Sequence, residues 1–170
     1  RPYYLILNRI FIIYVLNDHL AQDFIAIMEK YHVDANDIVL EITESASIIE
    51  KEILLDNMNA LRKVGVRFAL DDFGTGQSNL SYIVDMPIDI VKFDRGMTNA
   101  YFDNGKGKPV MDAAMGMIQK LELEIVSEGI EEKEQFAKLD ELGIDYIQGY
   151  YFSKPRNAAE FISFIQSNNA

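Results

Sequence analysis

The sequence predicts an α/β fold in which helices cover a parallel sheet. Short apolar runs typical of buried strands alternate with longer segments whose apolar residues recur three and four positions apart. Polar residues stand at the end of one strand after another, and the carboxyl ends of parallel strands share one edge. An open doubly wound sheet and a (β/α) barrel both fit, and the number of converging polar residues favours the barrel.

The pattern defines each element in order. Strands are predicted over residues 3–8, 37–43, 67–73, 89–94, 124–129 and 146–150. Helices are predicted over 19–31, within 47–64, within 108–121, and over 131–142 and 158–167, with a short segment at 79–87. Gly65 marks the end of the second helix, because glycine commonly terminates helices. A complete TIM-type barrel needs about 250 residues, so residues 1–170 predict a single, incomplete (β/α) barrel domain.

Composition excludes several classes of protein. The net charge of −11 argues against a general DNA- or RNA-binding surface, which needs a basic stripe. The absence of cysteine excludes disulfides and thiolate metal sites. The apolar stretch from Tyr3 to Leu16 is interrupted by Asn8 and Arg9 and is too short to span a bilayer. We therefore expect a cytoplasmic domain without membrane contact.

Oxygen-bearing side chains cluster at the predicted strand ends: Asn8, Glu41, Asp71, Asp72 and Glu128. Adjacent carboxylates such as Asp71 and Asp72 repel each other unless a cation or a proton relieves the charge. Hard oxygen ligands suit magnesium, manganese or calcium better than zinc. The sequence therefore predicts a divalent metal site at this edge.

Lys92 stands near the end of the fourth predicted strand and points toward the same edge. Its amine could orient or deprotonate a water, or hold a phosphate oxygen. Two metal ions with a bridging water would support in-line attack on a phosphodiester. The alternative interpretation is structural, with Lys92 in a buried salt bridge to Asp94 or Glu128.

A glycine-rich segment, "DFGTGQS" (72–78), follows the acid pair. Gly74, Thr75 and Gly76 could form a loop that folds over a ligand or a dimer partner. The alternative is a turn that needs a positive φ at one of the glycines.

Five motifs resemble the EAL-domain family: "LEITES" (40–45), "ALDDFGTGQSNLSYI" (69–83), "DIVKFD" (89–94), "SEGIEEKEQ" (127–135) and "IQGYYFSKP" (147–155). The resemblance runs from near residue 3 to about residue 155, in the family's order and spacing. It implies a metal-dependent phosphodiesterase that uses Mg²⁺ or Mn²⁺, in a two-metal site, to open cyclic di-GMP to linear pGpG.

The resemblance also implies roles for the matching positions. Metal ligands correspond to Asn8, Glu41, Asp71, Asp72 and Glu128; Asp72 serves the second metal or its water. Lys92 matches the lysine that contacts the attacking water, so Lys92, Glu128 and Asp72 are the expected catalytic residues. The remaining implied substrate or loop positions are Glu44, Gly74, Thr75, Gly76, Asp94, Glu131 and Gln148.

The chain departs from the family pattern in two places that bear on activity. The Glu-Ala-Leu tripeptide, whose glutamate is a metal ligand in the family, does not occur, so the strand–helix portion that carries it is expected to lie outside this chain. The second departure follows Asn8, where the family commonly has a serine and this chain has Arg9 and a run of apolar residues. Ser127 stands where alanine is usual, which is a tolerable change. The downstream acids, Lys92 and the glycine-rich loop are nevertheless nearly complete, so the first hypothesis is an active phosphodiesterase.

Two other hypotheses stay open at this point. The chain could be a catalytically inactive module that binds cyclic di-GMP or a protein partner, or a fragment without independent activity. A homodimer across residues 77–100 is expected, because an incomplete barrel exposes apolar surface. Family members are commonly joined to GGDEF or sensory domains, so a larger signalling protein is expected.

Overall fold

The computed structural model describes residues 5–7, 17–42, 51–75, 80–103 and 105–168. Its strands are β1 Leu5–Leu7, β2 Ile38–Ile42, β3 Arg67–Phe73, β4 Ile90–Phe93, β5 Glu124–Ser127 and β6 Tyr146–Ile147. Its helices are α1 Leu20–Tyr31, α2 Lys51–Lys63, α3 Leu80–Asp85, α4 Arg95–Phe102, α5 Gly107–Lys120, α6 Lys133–Glu141 and α7 Ala158–Asn168. A 3₁₀ turn, Ala35–Asp37, leads into β2.

The order of the strands decides between the two predicted architectures. The six strands pair in chain order from β1 to β6, and every pair is parallel. A doubly wound sheet reverses its order at a switch point, whereas a barrel adds each strand beside the previous one. The structure is therefore an incomplete (β/α) barrel, which confirms the predicted fold class.

The two faces of the sheet form two separate apolar layers. Alternate strand residues such as Leu40, Leu70 and Val91 belong to the large core between the sheet and the helices. The residues between them form a small cluster on the opposite face, the barrel interior: Val39, Ala69, Ile90 and Val126. Because side chains alternate along a strand, the interior face continues two residues further on to Glu41, Asp71, Lys92 and Glu128. This alternation places the charged residues above an apolar layer.

Strand β3 contains a β-bulge at the acid pair. Leu70 pairs with Val91 and Phe73 pairs with Phe93, so three steps along β3 match two along β4. Regular alternation from Leu70 would direct residue 72 into the helix-facing core. Because of the inserted residue, Phe73 instead of Asp72 faces the helix-facing core, and its ring centroid lies 5.8 Å from that of Phe93. Asp72 is thereby kept out of the apolar layer and is only half-buried.

Some predicted elements need correction. Helix α4 was not predicted, because its eight residues follow β4 directly and contain a glycine. The strand predicted over 146–150 ends at Ile147, since residues 150–152 turn and 149 bends. Most other boundaries differ by one to four residues, and β3 occupies the predicted range. Within the described ranges, no helix has the length and apolarity needed to cross a membrane.

Candidate active site

The site lies at the carboxyl edge of the sheet and is centred on Lys92. Its Nζ lies 2.8 Å from Asp71 Oδ1 and 2.6 Å from Glu128 Oε1 and also forms an ion pair with Glu41 Oε1. The Lys92 side chain is 2% exposed, so the ammonium is almost completely removed from water. Four neighbouring strand ends, β2 to β5, thus bring one cation and three carboxylates together.

The surrounding acids determine the charge of Lys92. Burial alone would lower the pKa of its amine, but the carboxylates of Asp71, Glu128 and Glu41 outweigh burial and raise the pKa above its ordinary value. Lys92 is therefore an ammonium at neutral pH in this arrangement. The buried salt bridge to Glu128 that the sequence offered as an alternative is present in the structure.

Glu41 is the most buried carboxylate of the site, with a side chain 1% exposed. Burial raises the pKa of its carboxyl, and the nearby Lys92 partly opposes this effect. Although Lys92 is within ion-pair distance, neither oxygen of Glu41 has a hydrogen-bond partner in the part of the chain that the structure describes. A buried carboxylate with unbonded oxygens is costly unless a cation or a proton satisfies it.

The donor chemistry of this cluster fits a hard divalent cation. Glu41 offers unbonded oxygens, Asp71 is buried, and Glu128 is only 22% exposed. Such carboxylates are the ligands that magnesium, manganese and calcium prefer. Among the described residues, no three acidic or histidine side chains are spaced around a common metal position, and the acids surround the Lys92 ammonium instead.

Asp72 and the turn after it have unusual backbone geometry. Asp72 adopts a φ of 58° and Gly74 a φ of 104°. A positive φ is uncommon for a non-glycine residue, although aspartate tolerates it better than most. Gly74 has the positive φ that the sequence offered as an alternative, and Thr75 N donates to Asp72 O at 3.3 Å. The bulge and this turn together bend the chain away from β3 at the site.

Three further predicted residues surround the centre rather than contact Lys92. Asp94 caps helix α4, since its carboxylate accepts from Gly96 N at 2.6 Å and Met97 N at 2.9 Å. Glu131 is exposed and pairs with Arg95 at 2.7 Å. Gln148 joins the site segments through its backbone, because its N–H donates to Ser127 O at 2.9 Å.

Other predicted site residues, Asn8, Glu44 and Gly76, lie outside the described residues. The arrangement around Lys92 defines a class of site: buried carboxylates and one ammonium at the functional edge of a parallel (β/α) barrel.

Sequence reasoning missed Arg95 and the helix that begins with it. An aspartate directly after a strand is a helix-start signal, and interpreting Asp94 as a cap would have revealed α4.

Comparison with known proteins gives the family. A family model described as "EAL domain" matches residues 14–155. The probable cyclic di-GMP phosphodiesterase PdeG of Escherichia coli K12 is 38% identical over 130 residues, which cover 76% of this chain and 26% of PdeG. The chain belongs to the EAL-domain family.

Solved structures agree with this assignment. The EAL enzyme Bd1971, in a form bound to cAMP and cyclic di-GMP, matches with a TM-score of 0.83 and 32% identity, covering 89% of this chain and 40% of that one. Klebsiella pneumoniae BlrP1, in a manganese and cyclic di-GMP complex, matches with a TM-score of 0.74 and 25% identity over 84% of this chain and 36% of that one. The chain thus spans about a quarter of the length of PdeG and well under half of the two solved chains.

Proposed function

We propose that the chain is a metal-dependent phosphodiesterase that hydrolyses cyclic di-GMP to linear pGpG. The observation that carries the proposal is the convergence of Glu41, Asp71 and Glu128 on Lys92 at the carboxyl edge of the barrel. The names of the similar proteins support the substrate, since PdeG is called a probable cyclic di-GMP phosphodiesterase and Bd1971 was solved with cyclic di-GMP bound.

The proposed reaction is the in-line hydrolysis of one phosphodiester bond. Mg²⁺ or Mn²⁺ ions at the site would lower the pKa of a water and stabilise charge on the phosphodiester oxygens. Glu41, Asp71, Asp72 and Glu128 would hold these ions, together with Asn8. Lys92 would orient the attacking water by donating a hydrogen bond to it. The water oxygen bonds to phosphorus as the bond from phosphorus to the 3′-oxygen breaks. The attacking water gives up one proton and the 3′-oxygen takes up one, so the product carries a 5′-phosphate and a free 3′-hydroxyl.

The substrate-facing residues of this proposal are those of the glycine-rich turn and the loops beside it. Gly74 and Thr75 are exposed at the end of β3, and Glu131 and Gln148 are exposed beyond β5 and β6. Exposed polar groups around a buried charged centre can contact the remainder of a ligand whose phosphate reaches that centre. We assign Glu44 and Gly76 to the same substrate-facing set, because the family resemblance implies that role for them.

The experiment is chromatographic detection of pGpG after incubation of the chain with cyclic di-GMP and Mn²⁺. Glu41→Ala and Lys92→Ala are expected to lose activity, at least 100-fold for a residue central to the chemistry. Lys51→Ala is the matched control, because Lys51 forms an exposed ion pair with Asp85, which is not one of the acids of the site. Full activity in Glu41→Ala or Lys92→Ala would refute the proposed mechanism. Tight binding of cyclic di-GMP without pGpG would favour a binding module, and neither binding nor product would favour an inactive fragment.

We also propose that the chain forms a homodimer through α3 and the neighbouring face of α5. Leu80 and Val84 of α3 are 51% and 76% exposed, and Leu121, directly after α5, is 48% exposed; all three line one open groove. Contiguous exposed apolar residues are typical of interaction surfaces. Mass measurement during size-exclusion chromatography tests the proposal, and a monomer at all concentrations would refute it.

The family resemblance supports a proposal about the setting of the domain. We propose that residues 1–170 form one EAL-type domain of a larger cytoplasmic signalling protein, with a GGDEF or sensory domain in the same full-length protein. The small share of PdeG that the chain covers supports this proposal. Sequencing of the flanking coding region tests it directly.

A further inference from the structure

Helix α4 contacts the residues on both sides of Glu128. Before Glu128, the Ser127 hydroxyl lies 3.0 Å from Thr98 Oγ1, and both residues are fully buried. After Glu128, Gly129 has a φ of 78° and packs so closely on α4 that a Cβ there would lie 2.4 Å from Arg95 Cγ. The backbone that presents Glu128 is thus fixed to α4 at two points.

The same helix is continuous with the strand that carries Lys92. Strand β4 ends at Phe93, Asp94 caps the helix, and α4 begins at Arg95. Glu128 N donates to Phe93 O at 3.1 Å, which joins the two segments directly beyond Lys92. The position of α4 relative to β5 therefore determines how Glu128 meets Lys92, whose Nζ lies 2.6 Å from Glu128 Oε1.

The hydroxyl pair is the directional part of this contact. Gly129 and Arg95 are in van der Waals contact, which fixes the distance between β5 and α4 but allows one to slide along the other. A hydrogen bond between two buried hydroxyls fixes direction as well, and leaving either one unpaired is unfavourable. Arg95 and Glu131 add an ion pair, but both side chains are largely exposed.

We propose that Thr98 is a positioning residue that acts through Ser127 to hold Glu128 against Lys92. The role of this contact in turnover rests on the proposed phosphodiesterase function, whereas the contact itself is a property of the metal-free chain. Partners one step beyond metal-site ligands commonly change metal affinity or activity 10- to 100-fold when removed.

The test uses the double variant Thr98→Val/Ser127→Ala. Valine has the shape of threonine, and removing both hydroxyls leaves neither of them buried without a partner, so the fold is expected to remain stable. The first measurement is the ¹H–¹⁵N signal of the Lys92 ammonium in the metal-free protein, whose protons exchange slowly while carboxylates hold them. This signal is expected to broaden or disappear in the double variant.

The second measurement is pGpG formation, with kcat and KM determined separately at saturating Mn²⁺. The double variant is expected to lose about 10-fold in kcat, with KM and the unfolding temperature close to those of the unchanged protein. The single variant Thr98→Ser keeps the hydroxyl and is expected to retain both the ammonium signal and the kcat of the unchanged protein. Tyr101→Phe is the matched control, because it removes another buried hydroxyl from the same helix without involving Ser127.

The outcomes separate the two proposals. An unchanged Lys92 signal in the double variant, or the same loss in Tyr101→Phe, would overturn the positioning role. Absence of pGpG formation by the protein without substitutions would refute the proposed function. The Lys92 ammonium signal would still decide whether Thr98 holds Glu128 in place.

Discussion

At the scale of single residues, Lys92 makes it possible to bury three acids in the metal-free chain. Carboxylates removed from water are tolerated only when paired. Glu41, Asp71 and Glu128 all pair with one ammonium, which cannot fully satisfy them, and the oxygens of Glu41 stay without hydrogen bonds among the described residues. Such a cluster is poised to accept a cation.

Replacing Lys92 tests this balance. Lys92→Met leaves the acids buried without their cation, and breaking a buried ion pair in this way costs about 3–5 kcal/mol. We expect urea unfolding of the metal-free variant to show a loss of that order. Added Mn²⁺ is expected to recover a substantial part of the loss, because the ion replaces the missing positive charge.

Lys51→Met is the control for this prediction. The Lys51–Asp85 pair has side chains 47% and 41% exposed, and pairs of that kind contribute less than about 1 kcal/mol. Equal losses in the two variants would show that the charge at the centre of the site has no special role in stability.

Asp72 gives a second prediction at this scale, because its φ of 58° is an unfavourable conformation for a branched side chain. Asp72→Val is expected to lose roughly 1–2 kcal/mol in urea unfolding. Asp72→Asn should unfold at nearly the same urea concentration, since asparagine also tolerates this conformation, yet it removes a charge from the site. Equal stability of the valine and asparagine variants would show that the positive φ at residue 72 does not strain a branched side chain.

The sequence predicted the charged cluster but not the bulge that completes it. Glu41, Asp71 and Lys92 each lie two residues after an apolar residue of the same strand, so their shared face can be predicted from the alternation alone. The bulge depends on how β3 pairs with β4, and pairing between strands is not encoded in the local pattern of either one. The two adjacent aspartates were the only local feature of the sequence at the position of the bulge. Charge repulsion between them does not by itself predict a β-bulge.

At the scale of elements, α4 shows where sequence reasoning failed. Its range contains Gly96 and Thr98, which are weak helix formers, and it has only eight residues. Tertiary contacts and its cap stabilise it instead, through Asp94 at the start and Thr98 in the middle. By contrast, the longer amphipathic helices were predictable because their apolar faces recur with helical period.

The cap of α4 can be tested apart from any contact of Asp94 with substrate. Asp94→Ala removes the acceptor for Gly96 N and Met97 N and is expected to cost about 1 kcal/mol. Asp94→Ser should keep most of the stability, because serine also caps helices. Urea unfolding checks both variants.

Activity measurements on the same position separate the two roles. If Asp94 only caps α4, Asp94→Ser should retain its rate of pGpG formation along with its stability. A stable serine variant with little activity would instead support the substrate role that the family resemblance implies.

The 3₁₀ turn before β2 gives a prediction for pH. The Asp34 carboxylate accepts from Asn36 N at 2.9 Å and from the Asn36 side chain, and these hydrogen bonds hold the pKa of Asp34 below its usual value of 3.8. A lowered folded-state pKa gives stability that is present above the unfolded pKa and is lost as pH falls through the folded one.

The measurement is the carboxyl ¹³C shift of Asp34 against pH, with its midpoint expected below that of an unfolded peptide. Asp34→Asn should remove this part of the acid sensitivity, so the stability difference between variant and unchanged protein is expected to shrink as pH falls below about 4. A midpoint at or above the peptide value would contradict the hydrogen-bonding account.

At the scale of the whole molecule, the described residues of the barrel interior form three layers. At the amino edge Arg67 pairs with Glu124 across the intervening strand β4. A layer that includes Ala69 and Ile90 lies above this pair, and the charged site lies above that layer. The apolar middle layer separates two sets of charges, so changes at the amino edge are expected to leave the site intact.

The separation of the two edges gives the last prediction. Arg67→Gln removes a charge whose partner, Glu124, is 36% exposed, so the expected cost is about 1 kcal/mol or less because water screens the pair. The rate of pGpG formation and its Mn²⁺ dependence should stay within about twofold of the unchanged chain, since sites with no shared partners act independently. Glu124→Gln is the matched variant and should behave in the same way. A large loss of activity at nearly unchanged stability, in either variant, would show that the two edges communicate through the barrel interior despite the apolar layer between them.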